Sequence, residues 1–261
     1  MFNNILVATD FSDSSRAALF EAIDLARLNQ SRIHALHVVT YLEDIFRAAR
    51  YPIPDTKWRK SLQERIEKFF PKSLYLNSRR HTLIGGAIAE EILNFASAHQ
   101  CNLIVTGTHG RRALGRLLMG SVTNKLLRES RVPVMVVPEQ RNEMSGLQIV
   151  KRILVAMDLS STSTKVVRFA VQFASLLQAE IHLIHVIDPP SIETSKTFQL
   201  SNVIDETCEL NVDSTLHEML DEYKLITEPI VRTCVGNTAQ EILRYAAEEN
   251  CNYIVMGTRC R

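Results

Sequence analysis

Glycine is scarce in this chain of 261 residues, with nine in all, about half of the ~7% usage ordinary for globular proteins. That scarcity excludes a collagen-like or glycine-rich linker architecture. Cysteine is sparse too: Cys101, Cys208, Cys234, Cys251 and Cys260 are odd in number and show no C-x-x-C spacing. They read as free thiols of a reducing compartment, not as a disulfide framework or zinc site. No stretch approaches the ~18 uninterrupted apolar residues that a membrane helix needs. The opening MFNNILVATD has no basic segment before its short apolar run, so it does not read as a signal peptide, and the expected compartment is the cytoplasm. Excess charge is missing as well. Lys plus Arg is 30 against Asp plus Glu 29, a net charge of +1, which argues against a general electrostatic grip on nucleic acid or an acidic membrane.

What is present is a globular composition, 46% hydrophobic and 23% charged, in a chain long enough for two domains at ~150 residues each. An internal repeat organises it. ILVATDFS at 5–12 is answered by ILVAMDLS at 153–160, and IHALHVV at 33–39 by IHLIHVI at 181–187. GAIAEEIL at 86–93 matches GNTAQEIL at 236–243, and CNLIVTGT at 101–108 matches CNYIVMGT at 251–258. Four blocks in one order indicate two copies of a single domain, assigned to residues 1–140 and 150–261.

Each copy reads as strand, helix, strand, variable segment, strand, helix, strand. A strand ends before Asp10, and Ser14 opens a helix whose Ala17, Ala18, Phe20, Ala22, Ile23, Leu25 and Ala26 keep one face apolar. Further strands are expected at Ile33–Val39, at a segment ending in Thr82–Ile84, at Leu103–Thr106 and at Val132–Val137, with a helix over Val122–Arg128. Strands apolar on both faces and alternating with helices predict an α/β fold with a parallel sheet covered on both sides. The variable segments predict helices near Lys57–Phe69 and Val203–Tyr223, and the polar Glu139–Leu147 is a linker. Only four residues follow Gly257, so the second copy is expected to lack the last helix and fifth strand.

Four of the nine glycines (Gly107, Gly110, Gly115, Gly120) fall within fourteen residues of the first copy. Gly107 and Gly110 stand where a strand ends, and a backbone without Cβ can there turn sharply and bring N–H groups to an anion. Gly120 and Ser121 open a helix, whose free N–H groups and positive dipole end attract phosphate. Arg111, Arg112 and Arg116 between them suit a polyphosphate. A plain surface turn with a helix cap is the simpler account of one Gly-x-x-Gly; the longer pattern Gly-x-x-Gly, nine residues, Gly-Ser between strand and helix favours phosphate.

ILVATDFS, LHVV and GTHGRRALGRLLMGSVTNKLL followed by VPVMVV resemble the universal stress protein family in its tandem form. Gly-x-x-Gly-x9-Gly-Ser is similar to the signature of its ATP-binding subclass. The resemblance implies two Rossmann-like domains of the adenine nucleotide alpha hydrolase-like type, parallel sheet order 3-2-1-4-5, the second incomplete, and a homodimer paired through strand five of the first. It implies ATP in the first domain. Ala8 and Asp10 would border base and ribose, Val38 would meet the adenine, and Thr106 and Gly107 would face the ribose. Gly110, Gly120, Ser121 and Val122 would hold the phosphates, assisted by His109 and Arg111, with Mg2+ or Mn2+ bridging phosphate oxygens and no dedicated protein ligands. In the second domain only Ala156, Asp158, Val186 and Gly257 have counterparts, so tight ATP binding there is not expected.

His34 and His37 stand three apart on a strand and project to opposite faces, which excludes joint metal ligation and leaves packing or hydrogen bonding. No Ser/His/Asp or Cys/His set and no P-loop is visible. The function classes that remain are an ATP-binding, stress-linked regulator, a slow ATPase or phosphoryl- or nucleotidyl-transfer enzyme, and a nucleotide-independent interaction module.

Overall fold

A computed structural model describes residues 1–40, 56–71, 73, 75–108, 119–139, 152–160, 163–187 and 228–258. The chain divides into two compact units, one built on Phe2–Gln148 and the other on Ile149–Arg259.

The first unit runs β1 (Asn4–Ala8), α1 (Asp13–Asn29), β2 (Arg32–Thr40), α2 (Thr56–Phe69), β3 (Ser78–Gly85), α3 (Ile88–Ala98), β4 (Leu103–Gly107), α4 (Ser121–Glu129) and β5 (Val134–Val137). Its five strands pair in the order β3-β2-β1-β4-β5, all parallel. Leu6, Ala8, Leu36, Val38 and Ile104 share one face and pack with Ile92 and Phe95 of α3 and Leu126 of α4. The alternate residues point to the other face, where α1 lies against β1 and β4. Buried Ala17, Ala18, Ala22 and Ala26 give α1 a small-residue face. Ser12 caps this helix by accepting from Ser15 N at 3.2 Å, and Gln30 in the left-handed conformation (φ 52°) ends it.

One strand differs from its sequence expectation, and another gains the start that the sequence leaves open. β3 begins at Ser78 and ends at Gly85, next to the Thr82–Ile84 expected to close it, and polar Arg79, Arg80 and His81 mask its start. Arg80 is accommodated by donating through Nε to the Phe70 carbonyl at 2.6 Å, with its guanidinium 4.9 Å over the Phe70 ring. β5 begins at Val134 and not Val132. Ser130 Oγ donates to Val132 O (2.7 Å) and accepts from Val132 N (3.2 Å), holding 130–132 as a turn, and Pro133 follows.

The second unit contains β6 (Arg152–Met157), α5 (Ser163–Leu177), β7 (Glu180–Ile187), β8 (Ile230–Val235), α6 (Thr238–Glu248) and β9 (Tyr253–Met256). Its parallel sheet has the order β8-β7-β6-β9, the first four positions of the same topology. Among the described residues it has no fifth strand and no counterpart of α4. The helix expected near Val203–Tyr223 lies outside the described residues. Among those residues, no helix is long and apolar enough to cross a membrane.

Small devices recur in both units. Asn102 Oδ1 accepts from Asn3 and Asn4 N (3.1 and 3.3 Å), and Asn252 Oδ1 accepts from Arg152 N (3.2 Å). His37 Nδ1 meets the Thr9 carbonyl at 2.8 Å, and His185 Nδ1 meets that of Met157 at 2.9 Å.

Candidate functional site

In an open parallel sheet, ligands settle outside the carboxyl ends of the strands where the winding reverses. In the first unit the chain winds outward from β1 through β2 to β3, then crosses back to β4 and β5. The reversal lies between β1 and β4, whose carboxyl ends are Ala8 and Gly107. Buried Ala8, Val38 and Thr106 line these strand ends, and α4 opens at Gly120, Ser121 and Val122. His109, Gly110 and Arg111, with Arg112 and Arg116, lie outside the described residues.

The turn after β1 is tightly specified. Asp10 Oδ1 accepts from Ser12 N (3.0 Å) and Ser12 Oγ (2.6 Å), so at least one carboxylate oxygen shapes the turn. Phe11 sits at φ 67°, a left-handed conformation costing a bulky residue about 1–3 kcal/mol. Its N–H donates to Thr9 Oγ1 (2.9 Å), Thr9 Oγ1 lies 3.0 Å from Ser15 Oγ, and its ring lies 4.3 Å from that of His37 and under the Arg65 guanidinium.

The end of β4 is tied to both neighbouring helices. Gly107 packs so closely on α1 that a Cβ there would press on the Ser14 hydroxyl and lie 2.7 Å from the Ser14 carbonyl carbon. Thr123 Oγ1 donates to the Gly107 carbonyl (2.9 Å), and Gly120 N donates to the Thr108 carbonyl (2.9 Å). The start of α4 is thereby fixed beside the strand end. Gly120 caps that helix at φ −59° without a side chain, and the first-turn N–H groups have no partner within the helix itself. Val122 packs into the core cluster, which leaves its N–H as the group able to meet a ligand. The sequence marks Ser14 only as a helix start and does not single out Thr108 or Thr123. The signal for Thr123 was its position in the turn just opened by Gly120 and Ser121.

His34 and His37 face opposite ways, as their spacing predicts. His34 Nδ1 lies 3.2 Å from His81 Nε2, and both rings stand 5.3–5.5 Å from that of His99, which stacks on Phe95 at 3.8 Å. Burial, then the neighbouring rings and Arg79, with Arg32 as well for His34, push His34 and His81 down to about 4. Among the described residues no three His, Cys, Asp or Glu side chains are arranged to hold a metal ion. Cys101 is buried, and burial pushes its thiol up to about 11, the setting of an inert packing residue.

The second unit keeps less. Met157 stands where Thr9 supplies its hydroxyl, and Asp158 turns its carboxylate to Ser160 N (3.0 Å) and Ser163 Oγ (3.2 Å). The hydrogen bond from Ser160 is the main influence holding Asp158 below the usual carboxylate range. Ala156 and Val186 pack against a small apolar cluster, and Gly257 has no described helix start beside it. A groove of about 470 Å3 lies against β8 and α6, but its Arg244 is paired with Glu241 and Glu248 at 2.5 and 2.9 Å.

The sequence profile of the Universal stress protein family matches residues 1–138 and again 150–261. The Bacillus subtilis universal stress protein YxiE is 31% identical over 150 residues, 52% of this chain and 99% of YxiE. A universal stress protein of Methanocaldococcus jannaschii is 29% identical over 146 residues, 55% of this chain and 86% of that protein. The crystal structure of a universal stress protein from Archaeoglobus fulgidus superposes with a TM-score of 0.69 at 21% identity, covering 98% of this chain and 85% of the other, a likeness of fold. With the family's profile matched twice and its sheet order observed, the chain belongs to the universal stress protein family and carries two copies of its domain in tandem.

Proposed function

We propose that the chain is an ATP-binding regulatory protein of the stress response, with the nucleotide held by the first unit. The observation that carries this reading is the tie between the end of β4 and the start of α4. The bonds from Thr123 Oγ1 to Gly107 O and from Gly120 N to Thr108 O fix a helix N-terminus, capped by glycine, at the point where the sheet winding reverses. Anionic groups are favoured there by the helix dipole and the first-turn N–H groups. Adenine and ribose would lie along Ala8, Asp10, Val38, Thr106 and Gly107, and the phosphates against Gly120, Ser121 and Val122, with Gly110, His109 and Arg111 in the intervening loop. A bound Mg2+ or Mn2+ would neutralise phosphate charge. Nucleotide occupancy would set partner choice or assembly, and two chains would associate through β5. Hydrolysis is expected to stay below the ordinary enzyme range of ~1 per second, because at least one Asp10 oxygen is engaged with Ser12 and no other carboxylate is proposed at the phosphates.

Calorimetry of ATP with the full chain tests this. One site per chain is expected. Gly120→Val keeps a backbone conformation open to any residue and should weaken binding at least about tenfold, ~1.4 kcal/mol, while leaving the chain folded. Two equivalent sites, or unchanged affinity in the variant, would overturn the assignment.

A further inference from the structure

Three histidine rings of the first unit meet on the face of the sheet that α3 covers. His34 is the third residue of β2, His81 the fourth of β3, and His99 caps the carboxyl end of α3. Their ring centres form a nearly equilateral triangle, 5.3 Å from His34 to His81, 5.3 Å from His34 to His99 and 5.5 Å from His81 to His99. His34 Nδ1 and His81 Nε2 are 3.2 Å apart. His99 Nδ1 lies 3.1 Å from the Phe95 carbonyl; donating there, it carries the ring's proton and leaves Nε2 with a bare lone pair. His34 is buried, while His81 and His99 are half-buried and give the cluster a side open to water. The fold does not require the trio. In the second unit His182 stands at the position of His34, fully buried, and is held by the Tyr245 hydroxyl at 3.0 Å, where the first unit has Phe95. Arg232 takes the ladder position of His81, opposite Ile184 as His81 is opposite Leu36, and Glu249 takes the place of His99. The same scaffold thus buries one histidine with a single hydroxyl partner and needs no second or third ring.

We infer that His34, His81 and His99 form a site for a divalent transition-metal ion, with His34 Nδ1 and His81 Nε2 as two ligands and His99 Nε2 as the third once its ring turns toward them. As the rings stand, the trio is not closed around an ion; the first two supply the bite. Imidazole nitrogens bind Zn2+ at about 2.0–2.1 Å, so two of them 3.2 Å apart subtend about 100° at a shared ion, and ring centres around a tetrahedral ion stand roughly 5 Å from one another. The spacing of the triangle matches that arrangement. Imidazole ligands suit Zn2+, Cu2+ or Ni2+, whereas Mg2+ and Ca2+ take oxygen. The ion replaces the hydrogen between His34 and His81, and the ring that carried it holds its proton on its other nitrogen, so none is lost. The hold of the Phe95 carbonyl on His99 Nδ1 is the outer contact that fixes a ligating tautomer. Arg32 and Arg79 are the cationic side chains that face the pair. Both are exposed, so water and salt screen their repulsion of the ion.

The probe is ZnCl2, titrated at neutral pH into the full chain after dialysis against a chelator and read by calorimetry. Saturable binding is expected, weakened at least about tenfold by His81→Gln and by His99→Gln. Both positions are half-buried, and circular dichroism should show both variants folded. A second readout needs no variant: Zn2+ should shift the imidazole NMR resonances of His34, His81 and His99 and leave those of His37 and His182 in place. No saturable binding, or unchanged affinity in either folded variant, overturns the site. So do resonances of the three rings that stay unmoved at saturation, which would put the ion elsewhere on the chain.

Discussion

Acid should destabilise the first unit through two imidazoles, His34 of β2 and His81 of β3. Their rings lie 3.2 Å apart through Nδ1 and Nε2, with His99, Arg79 and Arg32 as the neighbouring groups that disfavour a further positive charge. Burial is the larger cause, and both rings are pushed down from 6.5 to about 4. Between those values the folded chain holds them neutral while the unfolded chain takes up protons. Stability therefore rises with pH across that window. The contribution is complete above about 6.5, is lost as the pH falls toward 4, and changes no further below it. A displacement of that size corresponds to roughly 3.4 kcal/mol per ring. His81 accounts for part of the His34 displacement and itself keeps contact with water, so about half of the sum, ~3 kcal/mol, is the magnitude for the pair. That is a large share of the ~5–15 kcal/mol by which domains are stable. Urea unfolding at about pH 7 and pH 4.5, followed by circular dichroism and by the emission of Trp58, the single tryptophan, measures it. Surface carboxylates titrate in the same range, so the comparison is with the double variant His34→Gln, His81→Phe, whose stability should depend on pH less steeply by that amount. Equal pH dependence in parent and double variant would falsify the reasoning.

Three further outcomes follow from the packing. Gly107→Ala should cost about 1–3 kcal/mol by pressing on the Ser14 backbone, whereas Gly86→Ala, with nothing within 4 Å of its new methyl, should be neutral or stabilise by up to ~1 kcal/mol; thermal melts that rank them the other way refute this. Cys101 should resist alkylation by iodoacetamide in the native chain, its thiol being buried and pushed up to about 11, and rapid labelling detected by mass spectrometry would contradict that. For the association through β5, the register decides which residue to change. Ile104 N donates to Pro133 O, so the peptide groups of 133 and 135 face β4 and those of 134 and 136 face the outer edge. Val136→Pro should therefore turn a dimer into a monomer by light scattering while the unit stays folded, and an unchanged dimer rules out pairing of the β5 edges.

The repeat and the order of elements were legible because apolar runs such as ILVAT and IVTGT are unbroken and recur in the same order at nearly the same separation, 148 residues for the first and 150 for the second. What was hidden was hidden by polar side chains in places the fold makes tolerable. Arg79, Arg80 and His81 disguise the first half of β3, and only the Phe70 carbonyl and the His34–His99 cluster explain how they sit there. The left-handed backbone of Phe11 was equally invisible, since a bulky residue gives no local sign of positive φ. At the site, the glycines announced where the backbone comes close. The threonine that fastens Gly107 to α4 had only its place in the turn opened by Gly120 and Ser121 to mark it, because a helix-borne Thr usually looks like a surface residue until its hydroxyl is seen bonded to a carbonyl sixteen residues earlier.

The two copies also act as controls for one another, and they separate what the fold requires from what the proposed site requires. The left-handed residue after the strand-ending aspartate occurs in both, Phe11 at 67° and Leu159 at 56°, as does the histidine bonded to the last carbonyl before it. These features therefore belong to the turn itself, and the strain at Phe11 is no evidence for nucleotide. Present in the first copy alone, among the described residues, are the Thr9 hydroxyl within the turn, the bonds joining Gly107 and Thr108 to α4, and the glycine-capped start of that helix. Each of these lies on the β4 side of the sheet reversal or in the turn facing it. That set is not found among the described residues of the second unit, whose scaffold is otherwise retained, and this contrast is why nucleotide is proposed for the first unit.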